Sequence, residues 1–322
     1  MTAFFLDRRR FLHSSLGVVA AGVAGAAGVA GAAYANAAGE TDAVPAEAWR
    51  ENEAIRRPRE IALEILKPTP AQLEHGLELH AASVVFDSYG FAPRAAVDGD
   101  AIRQAVEAGA SPDEVEDMRE DMPMTRWATD PVERAEFQQA FDASGVTCVF
   151  QNTGQECQDP LRLLKRLARF TYSTDLMRDY IPKAATPDEV VQAKEQGRRC
   201  LYFTGNGIPL RQRWDSVEDE LSYVRIFFQL GIRMMHLTYQ RRNMLGDGCG
   251  EPNDAGLSDF GRAAVKELNR QGVIVDVAHS GWRTSLEAAK ASDRPMVASH
   301  TICCGLHNHF RGKPDDVIRA IV

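Results

Sequence analysis

A chain of 322 residues with 44% apolar content is long enough for one large domain or two small ones, and apolar enough for an ordinary globular core. Its formal net charge of −8, with no basic stripe, argues against a nucleic-acid partner. The six cysteines (Cys148, Cys157, Cys200, Cys249, Cys303 and Cys304) contain no CxxC pair, and adjacent Cys303 and Cys304 are poorly placed to bridge each other, so scattered free thiols are expected.

The chain begins with Asp7-Arg8-Arg9-Arg10-Phe11-Leu12, followed by an Ala/Gly/Val-rich stretch and then Ala35-Asn36-Ala37, a small-x-small cleavage signature. Residues 1–37 thus resemble a twin-arginine export signal. Their core is glycine-rich and weakly hydrophobic, unlike the Leu- and Ile-rich run of a membrane anchor. Export to the periplasm or the extracellular space is expected, with no membrane span left after cleavage. That route carries folded proteins, which suits one that acquires a cofactor in the cytoplasm.

Residues 38–80, with Pro45, Pro58, Pro68 and Pro70, read as a charged linker ending in a short helix over 71–80. A first strand is expected over 83–87, then an acidic helical region over 92–145 with a break at Met122-Pro123. Further strands are expected over 146–150, 199–203 and 232–238, separated by helices over 160–180 and 218–230. Another helix covers 258–271 and stops at Gly272.

The apolar runs 273–278 and 295–299 each end at a histidine, His279 and His300, and enclose a helix over 282–290. This is a strand–helix–strand unit with a histidine at the C-terminal edge of each parallel strand, the edge where α/β barrels hold ligands and metals. Imidazole is the commonest metal ligand, so two on one rim suggest a metal site. Taken alone, such a pair is more often one buried and one surface histidine; the neighbouring motifs shift the balance. Six strands alternating with helices imply parallel βα units, whereas a closed barrel has eight. The helix over 315–322 lacks a terminal glycine, so a barrel truncated after about six βα units is expected over residues 81–322.

From about residue 221 onward the motifs follow one another in a specific order. They include Leu230-Gly231-Ile232-Arg233, Leu237-Thr238 and Gly256-Leu257-Ser258-Asp259-Phe260-Gly261. Glu267-Leu268-Asn269-Arg270-Gln271-Gly272, Val275-Asp276-Val277-Ala278-His279, Pro295-Met296-Val297-Ala298-Ser299-His300 and His309-Phe310-Arg311 continue the series. This string resembles the membrane dipeptidase (renal dipeptidase) family of zinc metallopeptidases, and the chain looks like a divergent exported member. The likeness is strong over the last third and faint over 83–210. It implies an α/β fold, the (β/α)8 TIM-barrel-like metallo-dependent hydrolase fold, with two zinc ions bridged by a carboxylate and a hydroxide. It implies hydrolysis of dipeptides, often with a D-residue at the C-terminal position. By the same resemblance His279 and His300 match the two histidine ligands of one zinc. Arg311 matches the arginine that grips the substrate carboxylate, which a planar guanidinium does bidentately. Zinc held by imidazoles lowers the pKa of its water and polarises the scissile carbonyl. The partners implied are small peptides or peptide-derived substrates, and a second copy of the chain in a homodimer.

The chain departs from the family pattern at four positions. Tyr89 and Phe91 replace the His-x-Asp ligands of the other zinc, Thr204 replaces the bridging glutamate, and Tyr239 replaces a histidine that supports the substrate oxygen. Phenylalanine cannot ligate zinc, and threonine is a poor substitute for a bridging carboxylate. One zinc ion is therefore expected rather than two, held by His279, His300 and a third ligand drawn from Asp87, His236, Tyr239 or Asp276. Of these, Asp87 aligns behind the ligands, and His236 reads as a satisfied histidine inside its strand. Tyr239 is the one catalytic candidate. His307 and His309 read as loop residues near Arg311, and Cys303 and Cys304 as small helix-facing residues. Two functional readings follow. One is a metallohydrolase cleaving the peptide or amide bond of a dipeptide-like substrate. The other is a dipeptidase-like scaffold that binds a peptide-derived metabolite, or performs an exported tailoring step, without hydrolysing dipeptides.

Overall fold

The computed structural model describes residues 48–154 and 159–322; the twin-arginine-like segment and Cys157 lie outside them. After a 3-10 turn at Ala48–Glu51, helices α1 (Glu53–Leu66) and α2 (Pro70–Ala82) precede strand β1 (Phe86–Gly90). Helices α3 (Gly99–Glu107), α4 (Pro112–Thr129) and α5 (Pro131–Ser144) lead into β2 (Cys148–Asn152). Next come α6 (Pro160–Leu176), the two-residue β3 (Lys183–Ala184), α7 (Pro187–Glu195) and β4 (Cys200–Gly205). The chain continues through α8 (Val217–Gln229), β5 (Met234–His236), α9 (Asp259–Gln271), β6 (Ile274–Asp276), α10 (Trp282–Ala291) and α11 (Asp315–Ile321).

All the pairings between these strands are parallel, in the order β1-β2-β4-β5-β6 with β3 set against β4. Parallel neighbours need long crossover connections, which the helices supply. The result is the sheet wall of a TIM-barrel-like α/β fold, with six strands among the described residues. Strand β4 is buried at every position, as expected where a parallel sheet is covered on both faces. Leu201, Phe203 and Val275 from the sheet join Phe170, Val224 and Leu268 from the helices in one core.

Local sequence explains the helix ends. Ser111 with Glu114 and Thr186 with Glu189 form capping boxes at α4 and α7, and each helix has proline in its first turn. Asp159 caps α6 just before Pro160. Gly145 and Gly272 end α5 and α9 with φ of 64° and 80°, a region that only glycine enters without strain.

Several elements differ from the sequence reading. Residues 53–66, read as linker, form α1, which buries none of its side chains. Pro123 does not break the chain but lies inside α4, because side chains of α6 clamp that helix on both sides of the proline. The expected strand over 295–299 contracts to one bridge between Asp276 and Val297, since Pro295 lacks an N–H and the chain turns away after Ser299. Strand β3, two residues long, and helix α7 were not anticipated. Strand β1 starts three residues late and bulges between Asp87 and Gly90, which carries Tyr89 up to the rim of the sheet. A Cβ on Gly90 would lie 2.4 Å from Asp87 Oδ2, so a larger residue there would displace the Asp87 carboxylate. No helix among the described residues is long and apolar enough to cross a membrane.

Candidate metal centre

The C-terminal edge of the sheet gathers side chains from the connections that follow β1, β5, β6 and the Val297 bridge. His236 ends β5 and pairs in register with Asp276 at the end of β6. His279 follows three residues later, and His300 follows the single bridge at Val297. These three histidines offer nitrogen atoms that all lie within 4.8 Å of one another. The closest pair is His279 Nε2 and His300 Nε2, 2.8 Å apart.

Each ring is anchored through its other nitrogen. His236 Nδ1 lies 3.3 Å from the Gly205 carbonyl, and His279 Nδ1 lies 3.4 Å from Gln240 Oε1. His300 Nδ1 is 2.8 Å from Ser299 Oγ, whose hydroxyl donates to Asp276 Oδ2 at 2.5 Å. Metal-binding imidazoles characteristically have this arrangement, in which an outer acceptor fixes ring and tautomer. His236 is wholly buried and its Nε2 has no hydrogen-bond partner, although Asp276 Oδ2 is 3.1 Å away. A buried polar atom left unpaired is costly unless something else engages it.

Two tyrosines wall the cluster. The Tyr89 ring stacks on His300 at 4.0 Å, and its hydroxyl donates to Asn206 Oδ1 at 2.6 Å. Tyr239 stacks on His279 at 3.9 Å. Arg311 reaches in from the loop before α11: its guanidinium donates to the carbonyls of Ala278 and His300, and Nη2 lies 3.2 Å from His279 Nε2. Burial, reinforced by Arg311, pushes His279 down to about 2. Burial, followed by the neighbouring His236, pushes His300 down to about 4. Both are neutral at physiological pH, the form in which imidazole binds a metal. Burial, and next the charge of Asp276, raises the Tyr89 phenol, so it stays protonated. A cleft of about 1040 Å³ shares Gln240 with the cluster and is lined further by Cys249, Trp282, His309 and Phe310.

His279, His300, Arg311, Tyr239 and Tyr89 therefore lie together at this rim. His236 joins them, contrary to its reading as a satisfied core histidine, because β5 ends at His236 and not at Thr238. Other candidates fall outside the cluster. Asp87 is exposed and accepts from the Tyr89 N–H. Phe91 is half-exposed beneath the Arg94 guanidinium, at 4.6 Å. Asp276, which borders the cluster beside His236, is not among the grouped ligand atoms and accepts from the N–H groups of Ala278 and Ser299 and from the Ser299 hydroxyl. Thr204 is wholly buried at the end of β4, with its hydroxyl unpaired. His309 Nδ1 accepts from the Arg311 N–H, and Cys303 is exposed. Gln240, Ser299 and Lys313 were not identified from sequence; all three are polar residues that flank the motif residues at the rim.

The donor set fits one metal ion at the three imidazoles. It does not fit a second, carboxylate-bridged ion, because Tyr89, Phe91 and Thr204 supply neither imidazole nor carboxylate.

Comparison with known proteins identifies the family. The family model described as Membrane dipeptidase (Peptidase family M19) matches residues 111–322. Dipeptidase verJ of Clonostachys rogersoniana is 30% identical over 142 residues, 44% of this chain and 35% of that protein. Dipeptidase tcpJ of Claviceps purpurea is 30% identical over 146 residues, covering 45% of this chain and 33% of that one. The chain thus matches about a third of the length of these curated relatives. Among solved structures, an amidohydrolase from Pseudomonas aeruginosa is 27% identical with a TM-score of 0.53, covering 76% of this chain and 61% of that one. The probable dipeptidase PvdM from the same organism has a TM-score of 0.55 at 19% identity, covering 79% and 61%, which bears on the fold alone.

Proposed function

Because this chain belongs to the membrane dipeptidase family, we propose that it is a metal-dependent hydrolase cleaving the peptide or amide bond of a dipeptide-like substrate. The observation that carries this reading is the convergence of three imidazoles on one rim with the Arg311 guanidinium against His279. His279 and His300 would hold the ion, which we take to be zinc and one rather than two. When bound, such an ion polarises a carbonyl oxygen and lowers the pKa of water. The chain's own residues do the rest. Arg311 presents a planar donor fork suited to a substrate carboxylate. Gln240 and Ser299 hold the tautomers of His279 and His300. Tyr239, stacked on His279, offers a phenolic O–H to a substrate oxygen. The adjoining cleft has room for a dipeptide-sized ligand.

The test is turnover of a panel of dipeptides ending in L- or D-residues, with activity lost to a chelator and restored by zinc. In Arg311→Ala, KM for free-acid substrates is expected to rise about 10–100-fold, the equivalent of a charge-assisted hydrogen bond, while esterified analogues are unaffected. Equal losses for acid and ester would remove Arg311 from that role. A second reading, a scaffold that binds a peptide-derived metabolite without hydrolysing it, is favoured by the loss of ligand chemistry at Tyr89, Phe91 and Thr204. Saturable binding of dipeptides with no turnover would select it. We further propose export by the twin-arginine route to the periplasm or beyond, and assembly as a homodimer. Cell fractionation and sedimentation would check these two points.

A further inference from the structure

We propose that the cluster is a three-histidine centre for a single divalent cation, with His236 as the third ligand. This rests on the metal-dependent reading above and specifies it.

The outer hydrogen-bond partners of the three rings fix which nitrogens face inward with lone pairs. His236 Nδ1 faces the Gly205 carbonyl, which only accepts, so Nδ1 carries the proton and Nε2 bears the lone pair. The Ser299 hydroxyl gives its proton to Asp276, so it must accept from His300 Nδ1, which leaves the His300 lone pair on Nε2. His279 Nε2 receives Arg311 Nη2, and its Nδ1 faces the oxygen of Gln240. All three rings therefore turn lone pairs inward from Nε2.

Two of those lone pairs, on His279 and His300, face each other across 2.8 Å. The third, on His236, lies 3.1 Å from Asp276 Oδ2 with no hydrogen bond between them. On Asp276, Oδ1 accepts from the N–H groups of Ala278 and Ser299 and Oδ2 from the Ser299 hydroxyl. Electron-rich atoms held this way in a buried pocket repel one another unless a cation lies among them. Arg311 relieves only the His279 side.

The same surroundings limit the centre to one ion. The Tyr89 ring covers the His300 face at 4.0 Å and meets His236 edge-on at 5.0 Å, tethered by its hydroxyl to Asn206. Tyr239 covers the His279 face. No carboxylate belongs to the group. Three imidazole nitrogen donors suit zinc or cobalt and disfavour magnesium or calcium.

The experiment is Co(II) titration of metal-free protein, followed by proton NMR of the cobalt form. One equivalent should bind, and three hyperfine-shifted imidazole N–H signals should appear and vanish in deuterated water. Two equivalents, or only two such signals, would overturn the proposal, as would no uptake at all. His236→Gln, with its fold checked by circular dichroism, should weaken cobalt binding by more than about 100-fold, because losing even an outer partner of a ligand costs about 10–100-fold. Unchanged affinity would overturn it. Three signals in a protein that hydrolyses no dipeptide would support the centre while rejecting the hydrolase reading.

Discussion

Lys313, two residues beyond Arg311, is 1% exposed and sits behind the centre. Its ammonium donates to the Ser280 carbonyl at 2.6 Å and to Ser285 Oγ at 3.0 Å, tying the turn after His279 to the first turns of α10. Burial, the largest effect on it, pushes this lysine down to about 8, from an ordinary 10.5. The sign follows from proton counting. Between about pH 8 and pH 10.5 the unfolded chain holds a proton on Lys313 that the folded chain has released, so stability rises with pH across that window. Below pH 8 both states are charged and the full cost of the buried ammonium persists. Above about pH 10 the raised Tyr89 and Tyr180 phenols act in the opposite direction, since the folded state then holds the extra protons. Urea unfolding at pH 7, 8, 9 and 10 should therefore show wild-type stability climbing relative to Lys313→Met, by up to about 1.4 kcal/mol per pH unit above pH 8. Parallel curves would mean that Lys313 stays charged in the folded protein through pH 10.

At the scale of elements, the union of α4 and α6 explains why a proline is tolerated within a helix. Glu120 accepts from Arg162, Arg166 and Arg169, and Asp117 and Asp121 add further contacts to Arg169. Arg166 also donates to the Thr153 carbonyl, joining both helices to the end of β2. Arg166 and Arg169 are 4% and 9% exposed; the charge of Arg166 is compensated by Glu120, whereas Arg169 also has Asp117 and Asp121. Glu120→Ala would leave the buried Arg166 guanidinium without its carboxylate partner and should cost about 3–5 kcal/mol, read as a lower urea midpoint. A loss under about 1 kcal/mol would show that water compensates Arg166 instead. The sequence reading placed a break at Met122-Pro123 because proline removes one helical hydrogen bond. Nothing local announces the clamp, whose acidic and basic halves lie more than 40 residues apart.

At the scale of the whole molecule, legibility followed how local each determinant is. The parallel βα rhythm was readable because long apolar runs and capped helices are written in neighbouring residues, as in β4 with α8 and β6 with α10. Strand β3 escaped because two residues carry no period, and α1 escaped because four prolines and an unburied surface read as linker. His279 and His300 were legible from their place after strands. His236 obeyed the same rule, but its strand was read two residues too long, so only the fold reveals it at the rim. The centre draws on chain segments separated by more than 60 residues, so an ion held there binds the folded state and hardly the unfolded one. Linkage then requires stabilisation of about 2.7 kcal/mol at zinc one hundred times above its dissociation constant. For a domain of this size, Tm should rise roughly 5–10 °C on adding zinc to metal-free protein. His279→Ala and His300→Ala should each abolish that rise. A Tm that zinc leaves unmoved in the wild-type protein would mean that the three imidazoles hold no ion and that their packing is an end in itself.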